Sequence, residues 1–84
     1  MKSTKSLKKI LTVVGDRLAE LRAKKGYDTL KEFTQRYDLP HIQYWRIEKG
    51  KANITLKTLV KVLSIHGLTL QDFFCLVPEE EQII

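Results

Sequence analysis

The chain has 84 residues, which is enough for one small domain with an economical core and excludes two domains. Its 15 Lys and Arg against 10 Asp and Glu give a formal net charge of +5. Three of the acids form the run Glu79 to Glu81, so residues 1–78 alone carry +8. This charge favours a polyanionic partner; a solubilising surface charge is the alternative.

Residue types and spacing exclude several kinds of protein. Cys75 is the only cysteine, which excludes an intrachain disulfide and a cysteine-based zinc site and is typical of a reducing cytoplasm. The apolar run 10–14 is too short for a signal peptide or a membrane span and is followed by Asp16 and Arg17. Glycine-rich phosphate loops, paired carboxylates and metal-ligand spacing are missing. We therefore expect a cytoplasmic protein that is not an enzyme and has no cofactor, metal or membrane association.

The first part of the chain predicts two helices. Apolar residues at three- and four-residue spacing predict a helix over much of 7–25, with Gly15 inside it and Gly26 just after it. This stripe consists of Leu7, Ile10, Leu11, Val14, Leu18 and Leu21. Thr29, followed three residues later by Glu32, is a capping box that begins a short second helix. The buried stripe predicted for this helix is Leu30, Phe33, Thr34 and Tyr37.

A tight turn is predicted next, because Asp38 tolerates unusual backbone angles and Pro40 can begin a helix but not lie inside one. A third helix is predicted from about Pro40 to Lys49, ending at Gly50. At 100° per residue, Pro40, Tyr44 and Ile47 share one side of it. The opposite side carries His41, Ile42, Trp45, Arg46 and Lys49.

The last part of the chain predicts two more short helices after a loop at 51–54. Thr55 caps the fourth, which ends at Gly67. Its predicted inner face is Leu56, Leu59, Val60 and Leu63. Thr69 with Asp72 three residues later begins a fifth helix, which carries Leu70, Phe73 and Phe74. Since no stretch has useful strand alternation, the fold class is all-α with five helices.

Two short helices joined by about four residues in a basic all-α domain are typical of a helix-turn-helix. The sequence resembles the Cro and lambda-repressor type of helix-turn-helix regulator, the XRE family, over residues 10–74. The resemblance rests on "VGDRLAELRAKKG", "TLKEFTQRYDLP", "YWRIEKG" and "ITLKTLVKVLSIHGLTLQDFF". It implies a compact five-helix lambda-repressor-like domain that regulates transcription by binding specific duplex DNA, with the third helix in the major groove.

The resemblance also implies roles for individual residues. The expected base contacts are His41, Ile42 and Arg46. The expected contacts to the DNA backbone are Thr29, Lys31, Gln43, Trp45, Lys49, Lys51 and Asn53. Arg22 and Glu48 are expected to form a structural pair between helices one and three. Alternatives remain from the residues alone: Trp45 could cover the edge of the core, and Arg46 could pair with Glu48 or Asp38.

The chain departs from the family pattern at several positions. Leu30 stands where a phosphate-binding Gln is common, and Thr34 where a small residue is usual. Asp38 replaces the usual turn glycine, and Trp45 replaces a small polar residue. The loop before helix two is one residue longer than in the family. These departures concern how the domain would dock on DNA more than its fold.

Three regions are expected along the chain: a basic arm at 1–9, the domain at 10–76 and an acidic, apolar tail at 77–84. The arm either follows the phosphate backbone or is a disordered leader. Double-stranded DNA is the expected partner. A homodimer is expected through helices four and five and the C-terminus, with the apolar residues Val62, Ile65, Phe74, Leu76 and Val77. The alternative is an antitoxin-like or co-regulator module that binds a protein through Ile42 and Trp45.

Overall fold

The computed structural model describes the backbone of residues 4–75 and the side chains of residues 6–75. Five α-helices follow one another along this part of the chain, and it contains no strand. They are α1 Thr4–Lys24, α2 Leu30–Arg36, α3 His41–Glu48, α4 Leu56–Ile65 and α5 Leu70–Cys75. The all-α prediction with five helices is therefore confirmed.

Threonine hydroxyls cap three of the helices at the predicted positions. Thr29 Oγ1 accepts a hydrogen bond from the backbone N–H of Glu32 at 3.2 Å, and Thr55 caps α4 in the same way. At α5 the bond is reciprocal: the Asp72 N–H donates to Thr69 Oγ1 and the Thr69 N–H donates to the Asp72 carboxylate, each at 3.0 Å. These bonds from Thr69 hold the pKa of Asp72 below its usual value. Such caps satisfy helix-start N–H groups that have no partner within the helix.

The core is formed by side chains from all five helices around Phe33. The largest fully buried side chains are Tyr44, Phe33, Phe73, Leu18, Leu63 and Val62. Phe33 has Tyr27, Tyr37, Tyr44 and His66 around it, with ring centroids 5.2 to 5.7 Å away. Burial of this many apolar groups is the main favourable contribution to folding in so short a chain.

The predicted inner face of α4 is partly wrong. Leu59 and Leu63 are buried as expected, but Leu56 is 69 % exposed and Val60 is 49 % exposed. Val62, expected at a dimer surface, is instead fully buried. The helix is turned so that Val62 faces the core, and His66, one turn further on, stacks on Phe33 at 5.7 Å. Ile65, the other α4 residue expected at that surface, is half-buried against the core.

Gly15 allows α1 to lie directly against the end of α3. A Cβ at this position would be 2.6 Å from the carbonyl oxygen of Ile47, closer than real Cβ atoms come. The helix continues through Gly15 without a break. Gly50, just after α3, has φ +72°, and its backbone lies close to Thr12 of α1. The segment after α3 therefore also packs against α1.

The turn between α2 and α3 is formed by Asp38 in the left-handed region, with φ 55°. This is the position where the family resemblance implied a glycine, and an aspartate adopts it more readily than most residues. The next N–H, of Leu39, donates to the carbonyl of Thr34 at 2.8 Å, and the Leu39 side chain is buried. The turn therefore sets the direction in which α3 leaves α2.

The structure places residues 4–9 in the first turns of α1, ahead of the domain start expected at residue 10. Residues 1–3 of the arm, the tail at 77–84, and the expected dimer residues Leu76 and Val77 lie outside the described residues. Of the helices described, none is both long and apolar enough to cross a membrane.

Candidate nucleic-acid interface

Helix α3 has one side in the core and one side in solvent. Tyr44 is 1 % exposed and Ile47 is 2 % exposed, as the 100° projection predicts. The other side is exposed over almost its whole length, with His41, Ile42, Gln43, Trp45, Arg46 and Lys49 at the surface. A short helix that is anchored along one side and open along the other can enter a groove of a partner without unfolding.

Arg22 and Glu48 join α1 to the last turn of α3. The Arg22 Nε–H donates to Glu48 Oε2 at 3.0 Å and Nη2–H donates to Oε1 at 3.1 Å, a two-point contact. Arg22 Nη1 also donates to the carbonyls of Tyr27 and Asp28, at 2.8 and 3.0 Å, in the loop before α2. The bond to Glu48 raises the pKa of Arg22. One guanidinium thus holds α1, α3 and the start of α2 together.

The Tyr44 hydroxyl lies beside the same carboxylate. It is buried and has no well-formed hydrogen bond among the described residues. Burial, and then the negative charge of Glu48, raise the pKa of Tyr44 well above its ordinary value. The hydroxyl therefore stays neutral, and Glu48 keeps Arg22 as its charged partner.

His41, the first residue of α3, is exposed but not free to turn. Its Nδ1 lies 3.1 Å from Oγ1 of Thr34 in α2. Thr34 is 3 % exposed, and its hydroxyl is also 2.9 Å from the Leu30 carbonyl oxygen. The sequence predicted Thr34 as buried but gave no sign of this contact, because the two residues are seven apart and meet only through the turn at Asp38.

Arg46 lies near the end of α3, and its Nη2 donates to the Lys51 carbonyl at 3.3 Å. It forms no ion pair with Asp38 or Glu48 in the part of the chain described; the Glu48 carboxylate is bound by Arg22 instead. The alternative in which Arg46 forms an ion pair with one of these two acids is therefore excluded. The guanidinium keeps most of its donors for a partner.

Trp45 and Ile42 are the apolar part of the exposed side. Ile42 is 71 % exposed and Trp45 is 38 % exposed. The Lys51 ammonium lies 5.5 Å from the centre of the Trp45 ring, close enough for a cation–π contact. Trp45 is therefore partly exposed at the surface, beside a cation.

Positive charge dominates around α3. From Leu39 to Gln71 the only acid is Glu48, which is buried and paired. The residues expected to contact a DNA backbone all have exposed side chains, in the start of α2, in α3 and in the loop after it: Thr29, Lys31, Gln43, Trp45, Lys49, Lys51 and Asn53. Of these, Thr29 uses its hydroxyl to cap α2.

Two hollows lie near the end of α1 on the described surface. One of them, of about 290 Å³, is lined by Arg17, Glu20, Leu21 and Lys24. Within residues 4–75 no three His, Cys, Asp or Glu come together to hold a metal ion. The candidate site is therefore the exposed side of α3 with its basic surroundings.

A short α2, a tight turn and a half-exposed α3 held against a preceding helix define a helix-turn-helix domain, a class that binds DNA.

Comparison with known proteins agrees with this class. The chain is 33 % identical over 66 residues to control protein C.MunI of Mycoplasma sp, a match that covers 79 % of this chain and 89 % of that protein. It is 32 % identical over 72 residues to HTH-type transcriptional regulator PuuR of Escherichia coli K12, covering 83 % of this chain and 38 % of PuuR.

PuuR of Shigella flexneri matches to the same extent. No family model and no solved structure matches the chain. The match to C.MunI covers most of both proteins, so the chain belongs to the XRE-type helix-turn-helix family of regulators. It is a DNA-binding transcriptional regulator.

Proposed function

We propose that this regulator recognises one duplex DNA sequence by placing α3 in the major groove, and that it does so as a homodimer. The observation that carries this proposal is α3 itself: its exposed side bears the Arg46 guanidinium, whose described partner is the Lys51 carbonyl, while Tyr44, Ile47 and the Arg22–Glu48 pair fix its other side. The major groove is about 12 Å wide and admits one α-helix.

The base contacts fall to three side chains. Arg46 has the donors for two parallel hydrogen bonds to O6 and N7 of a guanine, the commonest specific contact in such complexes. His41 lies at the start of α3, where residues of a recognition helix meet base edges. Ile42 has no polar group and is suited to the methyl group of a thymine.

Contacts to the phosphate backbone surround these residues. Lys31, Lys49 and Lys51 are exposed cations, and Gln43 and Asn53 are exposed amides that can donate to phosphate oxygens. They are joined by the indole N–H of Trp45 and by the N–H groups at the start of α2 beside Thr29. Each phosphate neutralised by a lysine contributes a slope of about −0.9 to the dependence of log affinity on log salt.

The homodimer is proposed through exposed apolar residues of α4 and α5. Leu56 and Val60 are one turn apart on α4, and Phe74 of α5 is 43 % exposed. They replace Val62 in this role, because Val62 is fully buried within one subunit. Two linked domains of this kind bind half-sites spaced by roughly 34 Å, one turn of DNA. A regulator of this kind would act in the cytoplasm, where a bacterial chromosome lies.

The second candidate function is a protein-interaction module, and the exposure of Ile42 and Trp45 favours it. An exposed isoleucine beside an aromatic ring can form the centre of a protein interface. In this role the basic surroundings would steer an acidic partner, such as a toxin or another regulator, rather than DNA.

Selection from a random duplex library, followed by binding at several salt concentrations, separates the two functions. We expect one sequence to be enriched, and its affinity to fall steeply as salt rises. Arg46→Ala should relax the preference at one base pair, weakening binding to the selected site by about 5- to 150-fold, the equivalent of about 1–3 kcal/mol.

The matched control is Lys51→Ala, which also removes one cation. It should weaken binding to selected and random duplexes alike and reduce the salt slope by about one. A library in which no sequence is enriched, or an Arg46→Ala variant that behaves like Lys51→Ala, contradicts recognition by α3.

A further inference from the structure

The contact between Thr34 and His41 links the two helices of the motif by a side-chain hydrogen bond. Around the Thr34 hydroxyl lie three possible partners: the carbonyl oxygens of Leu30 at 2.9 Å and Lys31 at 3.3 Å, and Nδ1 of His41 at 3.1 Å. The hydroxyl is buried, so water does not replace a missing partner. The partner that receives the hydroxyl hydrogen of Thr34 decides whether His41 presents a hydrogen-bond donor or an acceptor to a binding partner.

Two arrangements of hydrogens are possible. In one, Thr34 donates to Nδ1 of His41; the ring then carries its own hydrogen on Nε2, and the buried oxygen accepts nothing. In the other, Thr34 donates to the Leu30 carbonyl and accepts from an Nδ1–H of His41. The second arrangement uses the shorter contact of 2.9 Å and gives the buried hydroxyl both a donor and an acceptor.

We propose that Thr34 is a specificity-determining positioning residue: it holds His41 in the Nδ1–H tautomer, so that Nε2 is presented outwards as a hydrogen-bond acceptor. This inference rests on the proposed function in one respect, namely that His41 meets a base. The orientation of the ring and its tautomer are properties of the free protein.

An acceptor in the major groove has a defined set of partners. Adenine offers its N6 amino group and cytosine its N4 amino group, whereas guanine N7 and O6 and thymine O4 are acceptors themselves. With Nε2 as an acceptor, His41 therefore selects an adenine or a cytosine. With the opposite tautomer the Nε2–H would donate to guanine N7 or O6, thymine O4 or adenine N7, so cytosine is the base that the proposed tautomer alone selects.

The first test is made on the free protein by ¹⁵N NMR of the histidine rings at pH 8, with His41→Gln to distinguish His41 from His66. We expect a hydrogen on Nδ1 and none on Nε2. The same tautomer is expected in Thr34→Ser, which keeps the hydroxyl. Thr34→Val has a similar volume without the hydroxyl and should release the ring to exchange between both tautomers. A wild-type ring with its hydrogen on Nε2 overturns the proposal.

The second test is selection of duplex sequences with the same variants. The base under His41 is the one whose preference is lost in His41→Ala. We expect adenine or cytosine there, favoured by about 5-fold or more over guanine and thymine. Thr34→Val should lose this preference and keep the affinity for random duplex, whereas Thr34→Ser should keep both.

The outcomes separate this inference from the proposed function. If guanine or thymine is selected under His41, sequence-specific binding stands and the assignment of Thr34 is overturned. If no sequence is enriched, the proposed function fails, and the ¹⁵N spectrum alone still decides the tautomer. A loss of random-duplex affinity in Thr34→Val equal to its loss at the selected site means that Thr34 is only structural, which also overturns the proposal.

Discussion

Replacing Arg22 by methionine should destabilise the domain more than any other single removal of a charge. The Glu48 side chain is 3 % exposed and that of Arg22 is 13 % exposed, so the carboxylate would stay in the interior without its cation. Removing one partner of such a buried pair costs about 3–5 kcal/mol. The carbonyls of Tyr27 and Asp28 also lose a donor, but they lie near the surface, where water can replace it.

This loss is large compared with the stability of the whole domain. At about 0.05–0.15 kcal/mol per residue, a domain of this size is stable by roughly 4–12 kcal/mol. Urea denaturation at pH 7, followed by circular dichroism, measures the change. With a slope of about 1 kcal/mol per molar urea, the midpoint should fall by about 3 M or more.

The matched control is Arg17→Met, because Arg17 forms an exposed pair with Glu20 at 2.7 Å, with side chains 29 % and 59 % exposed. An exposed pair contributes about 0–1 kcal/mol, so this variant should be nearly as stable as the wild type. The double variant Arg22→Met, Glu48→Met should recover most of the loss, since apolar residues can replace a buried pair. Equal effects of Arg22→Met and Arg17→Met would refute the reasoning.

Two further predictions concern the packing of α1 and the effect of pH. Gly15→Ala would stabilise an ordinary helix by about 1 kcal/mol, but here the methyl group meets the Ile47 carbonyl at 2.6 Å. We expect the free energy of unfolding to fall by about 1–3 kcal/mol instead; a more stable variant would exclude this contact. Burial, with the nearby Lys25, lowers the pKa of His66, so the unfolded chain takes up its proton first as the pH falls. Stability from this group is therefore complete above about pH 6.5 and is lost below it. Urea denaturation between pH 5 and 8 should detect this loss in the wild type, and the same pH dependence in His66→Gln would assign it to another group.

Local chemistry was enough to predict the helices. The threonine caps at Thr29, Thr55 and Thr69 and the apolar stripes depend on residues within one turn of each other, and these patterns are visible in one sequence. The inner face of α4 was partly wrong for the opposite reason. Leu56, Val60 and Val62 are all apolar, and which of them turns inwards depends on how α4 packs against the other helices.

In the candidate site, too, the sequence predicted what depends on local spacing and missed what depends on the packing of two helices. The exposure of His41, Ile42 and Arg46 follows from the 100° projection once Tyr44 and Ile47 are placed in the core. Their roles towards DNA remain predictions. The bond from His41 to Thr34 depends on the angle between α2 and α3, which is set by the turn and not by any spacing in the sequence.

The close approach at Gly15 has a consequence for motion. Because the backbone of α1 lies against the end of α3 at Gly15, and Arg22, about two turns further along α1, bonds to Glu48, α3 cannot open unless it separates from α1. Its amide hydrogens should exchange with solvent together with those of α1, in one cooperative unit. The entropy of ordering α3 is then lost during folding rather than on DNA, so the helix meets its partner already rigid.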